Sequence, residues 1–321
     1  MLRSTDRQAA SAEVLALLIA LLFSSPLVLS AADLNQQTLN AWDEYILGIN
    51  SQMKVRATGG STFLWIDEAP GRRDRVRQGE ILVEPASKDT PEKVPQGLIH
   101  NWLGAIFIPN ATLSSVFAML NDYGHYDQIY NPAVIDAKLL NVSGAMRKFS
   151  LVLAEKAPFV TAAIASEYVS QNVRLDNHRW YTVTYSTRIQ QIDNFGRPGA
   201  HELPPDQGTG YIWRLFSIQR FEEKDGGVYT ELETIALSRN IPFEIQWLVR
   251  PILQHLPRES MTATLQKTRD AVCAALSAKA VSPEGQRPSA ARSRRRDTTM
   301  TAHRALASHP IPATTVLGAR Q

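Results

Sequence analysis

Residues 226–276 read GGVYTELETIALSRNIPFEIQWLVRPILQHLPRESMTATLQKTRDAVCAAL, and they hold the two periodicities that decide the fold. Val228 to Ile235 alternate polar and apolar positions and are rich in β-branched residues, the pattern of a half-buried strand. Asp225-Gly226-Gly227, following Ser217 to Phe221, marks a hairpin turn. With Asp225 and Gly226 as the loop, Arg220 pairs opposite Glu231, Ile218 opposite Glu233 and Arg214 opposite Leu237. One face of the hairpin then carries Arg214, Arg220, Glu231, Glu233 and Arg239 among Ile212, Phe216, Ile218, Ile235 and Leu237. The other carries Tyr211, Trp213, Leu215, Thr230, Leu232, Thr234 and Ala236. After Pro242 the period changes. Phe243, Trp247, Leu248, Ile252 and Leu256 suit a short helical segment bent at Pro251, with Pro257 in the first turn of a final helix. Met261, Leu265, Thr268, Val272 and Leu276 form one packing stripe along that helix.

Upstream, Leu39, Trp42, Tyr45, Ile46 and Ile49 predict an amphipathic helix over residues 34–53, which must cover something or meet a partner. Thr62–Ile66 and Glu80–Val83 read as short strands around a basic loop containing Arg72, Arg73, Arg75 and Arg77. Ile99–Ile108 reads as a buried strand ending at Pro109, with Asn110 as the cap of a helix whose face is Leu113, Val116, Phe117 and Leu120. A second short helix near His125–Tyr130 gathers Tyr123, Tyr126 and Tyr130. Strands follow at 134–140, 145–154, 162–175, 179–192 and 211–221. No internal repeat is evident.

The chain of 321 residues, 44% hydrophobic, is long enough to bury one substantial core. Its net charge of +3 hides an asymmetry: residues 277–321 carry +6 and residues 1–32 balance, which leaves the middle at −3. A mildly acidic body argues against nucleic-acid binding. Arg3 and Arg7 precede an apolar run from Val14 to Leu29, followed by small residues Ser30 and Ala32. That order predicts a secretory signal over residues 1–32 and an exported, periplasmic or secreted protein; an uncleaved membrane anchor is the alternative. The Arg-, Pro- and Ser-rich segment 280–321 has too little apolar content to offset ordering entropy and is expected to be a disordered basic tail. Cys273 is the only cysteine, so the fold has no internal disulfide to rely on. Seven histidines without ligand spacing predict no metal site, and the absence of Walker, nucleophile-elbow and dinucleotide fingerprints predicts no cofactor.

The order strand, two short helices, antiparallel strands, long helix is where a family resemblance enters. From about Asn101 to Ala275 the chain resembles the START-like (helix-grip, SRPBCC) superfamily of lipid-transfer domains, polyketide cyclases and aromatases, and pollen-allergen-type binding proteins, and most of all exported bacterial members of unknown activity. The resemblance rests on Trp102-Leu-Gly before Ile108-Pro109, the aromatic pair of short helices, Gly227-Val-Tyr-Thr-Glu, Leu237-Ser-Arg-Asn-Ile-Pro and Pro257-Arg-Glu. It implies an α+β helix-grip fold: a curved antiparallel sheet wrapped around a long C-terminal helix, with an apolar cavity between them. The expected organisation is a signal over 1–32, an N-terminal helix and short strands over 33–96, the START-like domain over 97–279, and the tail.

The candidate ligand-binding residues are Trp102, Tyr126, Tyr130, Trp213, Arg214, Glu231, Glu233, Arg239 and Trp247. The aromatics are candidates because a core wall in a hollow fold is also a pocket wall, with Tyr126 and Tyr130 at the entrance. The charged side chains of the hairpin read in two ways. They are a polar cluster inside the cavity that orients a head group or does acid/base work, or they are a cross-strand ladder on the outer face. Alternation does not say which face the helix covers. Three functions stay open: sequestration of a hydrophobic small molecule or lipid, with contact to a membrane surface; a cyclase- or dehydratase-like enzyme using Glu231 or Glu233; and an interaction domain with a filled core.

Overall fold

In the computed structural model, which describes residues 34–157, 160–207, 212–240 and 243–281 (of 155–157, 160–162, 243–256, 280 and 281 the backbone only), ten antiparallel strands make one sheet. In chain order they are β1 (Leu82–Pro85), β2 (Glu92–Val94), β3 (Gly97–Pro109), β4 (Val134–Ser143), β5 (Met146–Ala157), β6 (Val160–Arg174), β7 (Arg179–Asp193), β8 (His201–Glu202), β9 (Ile212–Lys224) and β10 (Gly227–Arg239). Across the sheet the order is β1-β3-β10-β9-β7-β6-β5-β4, with β2 on β3 and β8 on β7. The helices are α1 (Gln36–Ala57), α2 (Arg72–Arg77), α3 (Leu113–Leu120), α4 (Tyr126–Ile129) and α5 (Phe243–Val281). This is the α+β helix-grip fold that the family resemblance implied. The predicted signal at 1–32 lies outside the described residues, as does the tail predicted over 280–321 except for Ala280 and Val281, which end helix α5.

The last hairpin forms in the register that alternation requires. Asp225 and Gly226 both take positive φ, 58° and 80°, as a two-residue primed turn needs. Arg220 faces Glu231, Ile218 faces Glu233 and Arg214 faces Leu237. A bulge between Leu237 and Ser238 then shifts the frame, so that Ser238 pairs with Ile212. Trp213 therefore buries in the cluster of Phe216, Ile218 and Trp42, not with Leu215, which corrects the strict alternation.

Strand β3 is buried from Gly97 to Ile108 except for half-buried Trp102, because both of its faces are covered. Ile106 and Ile108 pack with Val228, Phe221, Phe117, Met261, Leu265 and Val272, which is the α5 side. Ile99, Leu103, Ala105 and Phe107 pack instead with Trp42, Ile49, Met53, Phe63, Leu64, Trp65 and Ile66, which come from the N-terminal segment. The predicted stripe Met261, Leu265, Thr268, Val272 does face the sheet and is buried. Its closest approach is over Gly104, where a Cβ would stand 2.6 Å from Leu265 Cδ1 and 2.7 Å from Met261 Sδ.

Several local expectations change. Helix α5 is one 39-residue helix through Pro251 and Pro257, not two segments. Thr112 caps α3 in a reciprocal box with Ser115, while Asn110 takes a left-handed φ of 58° in the preceding turn. Thr62–Ile66 is not a strand: Trp65–Glu68 form a short 3-10 turn, and the basic run 72–77 is the helix α2. Arg72 and Arg73 are half-buried and engaged: Arg72 pairs with Glu84 and stacks on Trp65, and Arg73 bonds Asp67 and Glu222 and stacks on Tyr229.

His100, on β3, illustrates the cost of this two-sided burial. Its Nε2 lies 2.9 Å from Ser238 Oγ, and burial pulls its pKa below 6.5. The folded chain thus holds a neutral imidazole where the unfolded chain would take up a proton. The stability it contributes is complete above about pH 6.5 and is lost as pH falls through the lower folded-state value. Urea midpoints measured from about pH 8 down to about pH 5 should fall on the acid side, and His100→Gln should flatten that part of the curve. An unchanged slope in the variant would exclude His100 as its source.

Candidate functional site

Two faces of the central sheet compete for the role of binding surface, and they differ in chemistry. The face with the charged residues is sealed. Arg220 is 1% exposed and lies between the two carboxylates: its Nε donates to Glu231 Oε2 at 3.0 Å and its Nη1 to Glu233 Oε2 at 2.9 Å. Glu231, fully buried, also accepts the backbone N–H of Trp65 and of Ile66, each at 2.9 Å. Asn101 Nδ2 donates to Glu233 Oε1 and to the hydroxyl of Tyr45 on α1. Burial pushes the Glu231 carboxyl upward, against the lowering effect of Arg220 and of the two backbone N–H groups. Three donors on its two oxygens leave the ionised form as the one the geometry holds.

Arg220, Glu231 and Glu233 therefore line neither a cavity under α5 nor a solvated ladder. They are the polar centre of a second core, between the sheet and the N-terminal segment. Glu231 and Glu233 are corrected accordingly as candidate ligand contacts. Arg214 shares their side through its pairing with Leu237, and its guanidinium bonds Asp206. Arg239 lies 5.6 Å from the Trp213 ring, and Trp213 is core there.

The opposite face is partly open and, along its central rows from β3 to β6, carries no charged side chain. Register links Trp102, Thr234, Ser217, Thr184 and Ser170 in one row across five strands, and Gly104, Leu232, Gln219, Thr182 and Asn172 in the next. A third row runs His100, Ala236, Leu215. Along β9 and β10, Leu215, Ser217, Gln219, Leu232, Thr234 and Ala236 are all half-buried, whereas Phe216, Ile218, Arg220, Glu231, Glu233 and Ile235 on the sealed side are buried. Hydroxyls and amides here partly satisfy one another: Thr182 donates to Asn172 at 2.8 Å and Thr184 to Ser170 at 3.0 Å. Among the described residues these rows present apolar, hydroxyl and amide groups and the neutral His100, a surface suited to a largely apolar ligand with a few hydrogen-bonding groups.

The aromatic candidates border this face unequally. Trp102 lies on it, half-buried. Tyr126 packs with Phe149, Tyr168 and Leu215, and its hydroxyl donates to Leu120 O at 2.6 Å. Tyr130 is 9% exposed, with its hydroxyl 3.0 Å from Thr268 Oγ1 on α5, so it ties α4 to the helix and does not stand free at a mouth. The Trp247 side chain lies outside the described residues. Sequence reading missed Asn101, Tyr45 and the two N–H groups of the 3-10 turn, and it passed over Ser217, Gln219, Thr184 and Ser170. Among the described residues no three His, Cys, Asp or Glu side chains gather as metal ligands.

No protein-family model and no curated protein matches the chain. Several solved structures are similar to it in part. A STAR-related lipid transfer protein from Xanthomonas axonopodis is 16% identical, with 59% of this chain and 98% of that one covered at a TM-score of 0.39. Human STARD10 is 9% identical over 63% and 73%, TM-score 0.40. The Zhui aromatase/cyclase from a Streptomyces species is 12% identical over 54% and 93%, TM-score 0.37. At these values the likeness concerns fold only.

Proposed function

We propose that this chain is an exported protein that binds a hydrophobic small molecule or lipid against the α5-covered face of its sheet. The observation that carries the reading is the contrast between faces: midway along β9 and β10 Phe216, Ile218, Arg220, Glu231, Glu233 and Ile235 on the N-terminal side are buried, yet Leu215, Ser217, Leu232, Thr234 and Ala236, on the side of the sheet where α5 packs against β3, are half-buried. Apolar area removed from water there supplies affinity at about 25 cal/mol per Å², and the hydroxyl rows supply selection. Export is supported by Arg3 and Arg7 ahead of the Val14–Leu29 run with Ser30 and Ala32 behind it. The cyclase-like alternative drew on Glu231 and Glu233, and no observation on the neutral face favours it.

Ser217→Trp tests the reading at its centre. Ser217 sits between Thr234 and Thr184 in the middle row, so an indole there fills the space a ligand needs. Uptake of a fluorophore-labelled acyl chain in vesicle-free buffer should weaken by about tenfold or more while the chain stays folded. Undiminished uptake by the folded variant would place binding elsewhere.

A further inference from the structure

Beyond the binding face, the free edge of the sheet carries an unusual surface. Of the eight large apolar side chains most exposed among the described residues, five lie on one hairpin: Ile135 at 40%, Leu139 and Leu140 at 46%, Val142 at 52% and Met146 at 45%. They belong to β4, the end strand of the sheet, and to the first residue of β5. Edge strands are normally blunted by charge, because exposed apolar edges aggregate. Here the exposure is built in. Pairing with β5 skips one residue between Val134 and Asp136 and one between Leu139 and Asn141, so both irregularities of β4 fall on an exposed apolar residue, Ile135 and Leu140.

From these features we propose that the β4–β5 hairpin docks on an anionic lipid surface. Two observations choose this occupant over a second copy of the chain. Edge-to-edge pairing needs a regular row of backbone donors and acceptors, and the two irregularities interrupt it, whereas a fluid apolar phase takes side chains with no register. Charge also complements the partner: among the described side chains Lys138, Arg147, Lys148 and neighbouring Arg188 stand with Asp136 and Glu167, four cations to two carboxylates beside the exposed apolar residues. Val142 and Leu139 pair with Arg147 and Phe149, so the tip continues the rows that lead through Ser170 and Tyr168 toward the neutral face. The proposal does not depend on ligand binding there.

The test places an environment-sensitive fluorophore on Val142→Cys in the full chain carrying Cys273→Ser, with Leu47→Cys on α1, 66% exposed, as the control position. Vesicles of phosphatidylglycerol with phosphatidylcholine should blue-shift the label at 142 and not at 47, and Leu139→Ser with Leu140→Ser should weaken vesicle partitioning by about tenfold. Because those side chains are exposed, the thermal midpoint should not move. Vesicle binding through another region, with no shift at 142, overturns the proposal. So does a vesicle-independent shift that grows with protein concentration, which would assign the hairpin to a second copy. Acyl-chain uptake measured on the same labelled chain without vesicles keeps the binding reading separate, since it can fail while the tip still docks.

Discussion

Glu231→Ala should be the most damaging single substitution outside the purely apolar core, costing about 3–5 kcal/mol, the range for breaking one partner of a buried ion pair. The loss is compound. It leaves Arg220 with Glu233 as its remaining carboxylate partner, and it strips the acceptor from the N–H groups of the buried Trp65 and Ile66. Glu231→Gln should be scarcely milder, since one carbonyl oxygen cannot accept three donors and the new NH2 faces them. Besides a lower thermal midpoint, limited proteolysis should cut the segment from Gln36 to Gly79 early, because Glu231 is what bonds that segment's 3-10 turn to the sheet. A variant that unfolds at the wild-type midpoint with the N-terminal segment protected would mean that apolar packing of Trp42, Phe63, Leu64 and Ile66 holds that layer alone.

The second large effect is expected where α5 meets the sheet. Gly104→Ala forces a methyl group to within 2.6–2.7 Å of Leu265 Cδ1 and Met261 Sδ. Both neighbours are side-chain ends that can yield, so the expected cost is about 1–3 kcal/mol, typical of overpacking. Leu265→Ala, which removes a side chain only 2% exposed, should cost about 2–5 kcal/mol. Combined, the two should cost less than their sum, because the alanine methyl at 104 enters space vacated by the leucine. Chemical-denaturation midpoints of the four proteins measure that coupling. Strict additivity would show that helix and strand do not share this contact.

The contrast between these sites explains what was legible in the sequence. Strand periodicity, the Asp225-Gly226 turn and the Met261–Val272 stripe are local, and each appears as read, down to the pairing of Arg220 with Glu231. Which hairpin face meets α5 is not local, since a two-residue period is the same seen from either side. The choice was settled by Thr62–Ile66, whose four successive buried residues, Phe63 to Ile66, give no period. Such a run suits a strand as readily as the 3-10 turn that delivers two N–H groups to Glu231. Had that turn been anticipated, the carboxylates would have been placed in a second core. The Trp213 correction has a similar origin, because a one-residue shift at Leu237 has no marker in composition. The uncharged rows are illegible in the sequence for a different reason. Serines and threonines at alternate strand positions look like a wet outer face, and nothing in their spacing marks them as lying on the side of the sheet where α5 packs.

The proposed binding requires that this half-buried face hold a guest. Native mass spectrometry of the chain purified from an export-competent host, followed by organic extraction of whatever travels with it, addresses this directly. One apolar molecule bound near one-to-one, released by Ser217→Trp and retained by Lys148→Glu at the hairpin edge, is the predicted result. A bare mass that stays bare after incubation with lipids and polycyclic aromatics would contradict it, and would leave the sheet and α5 as a filled core.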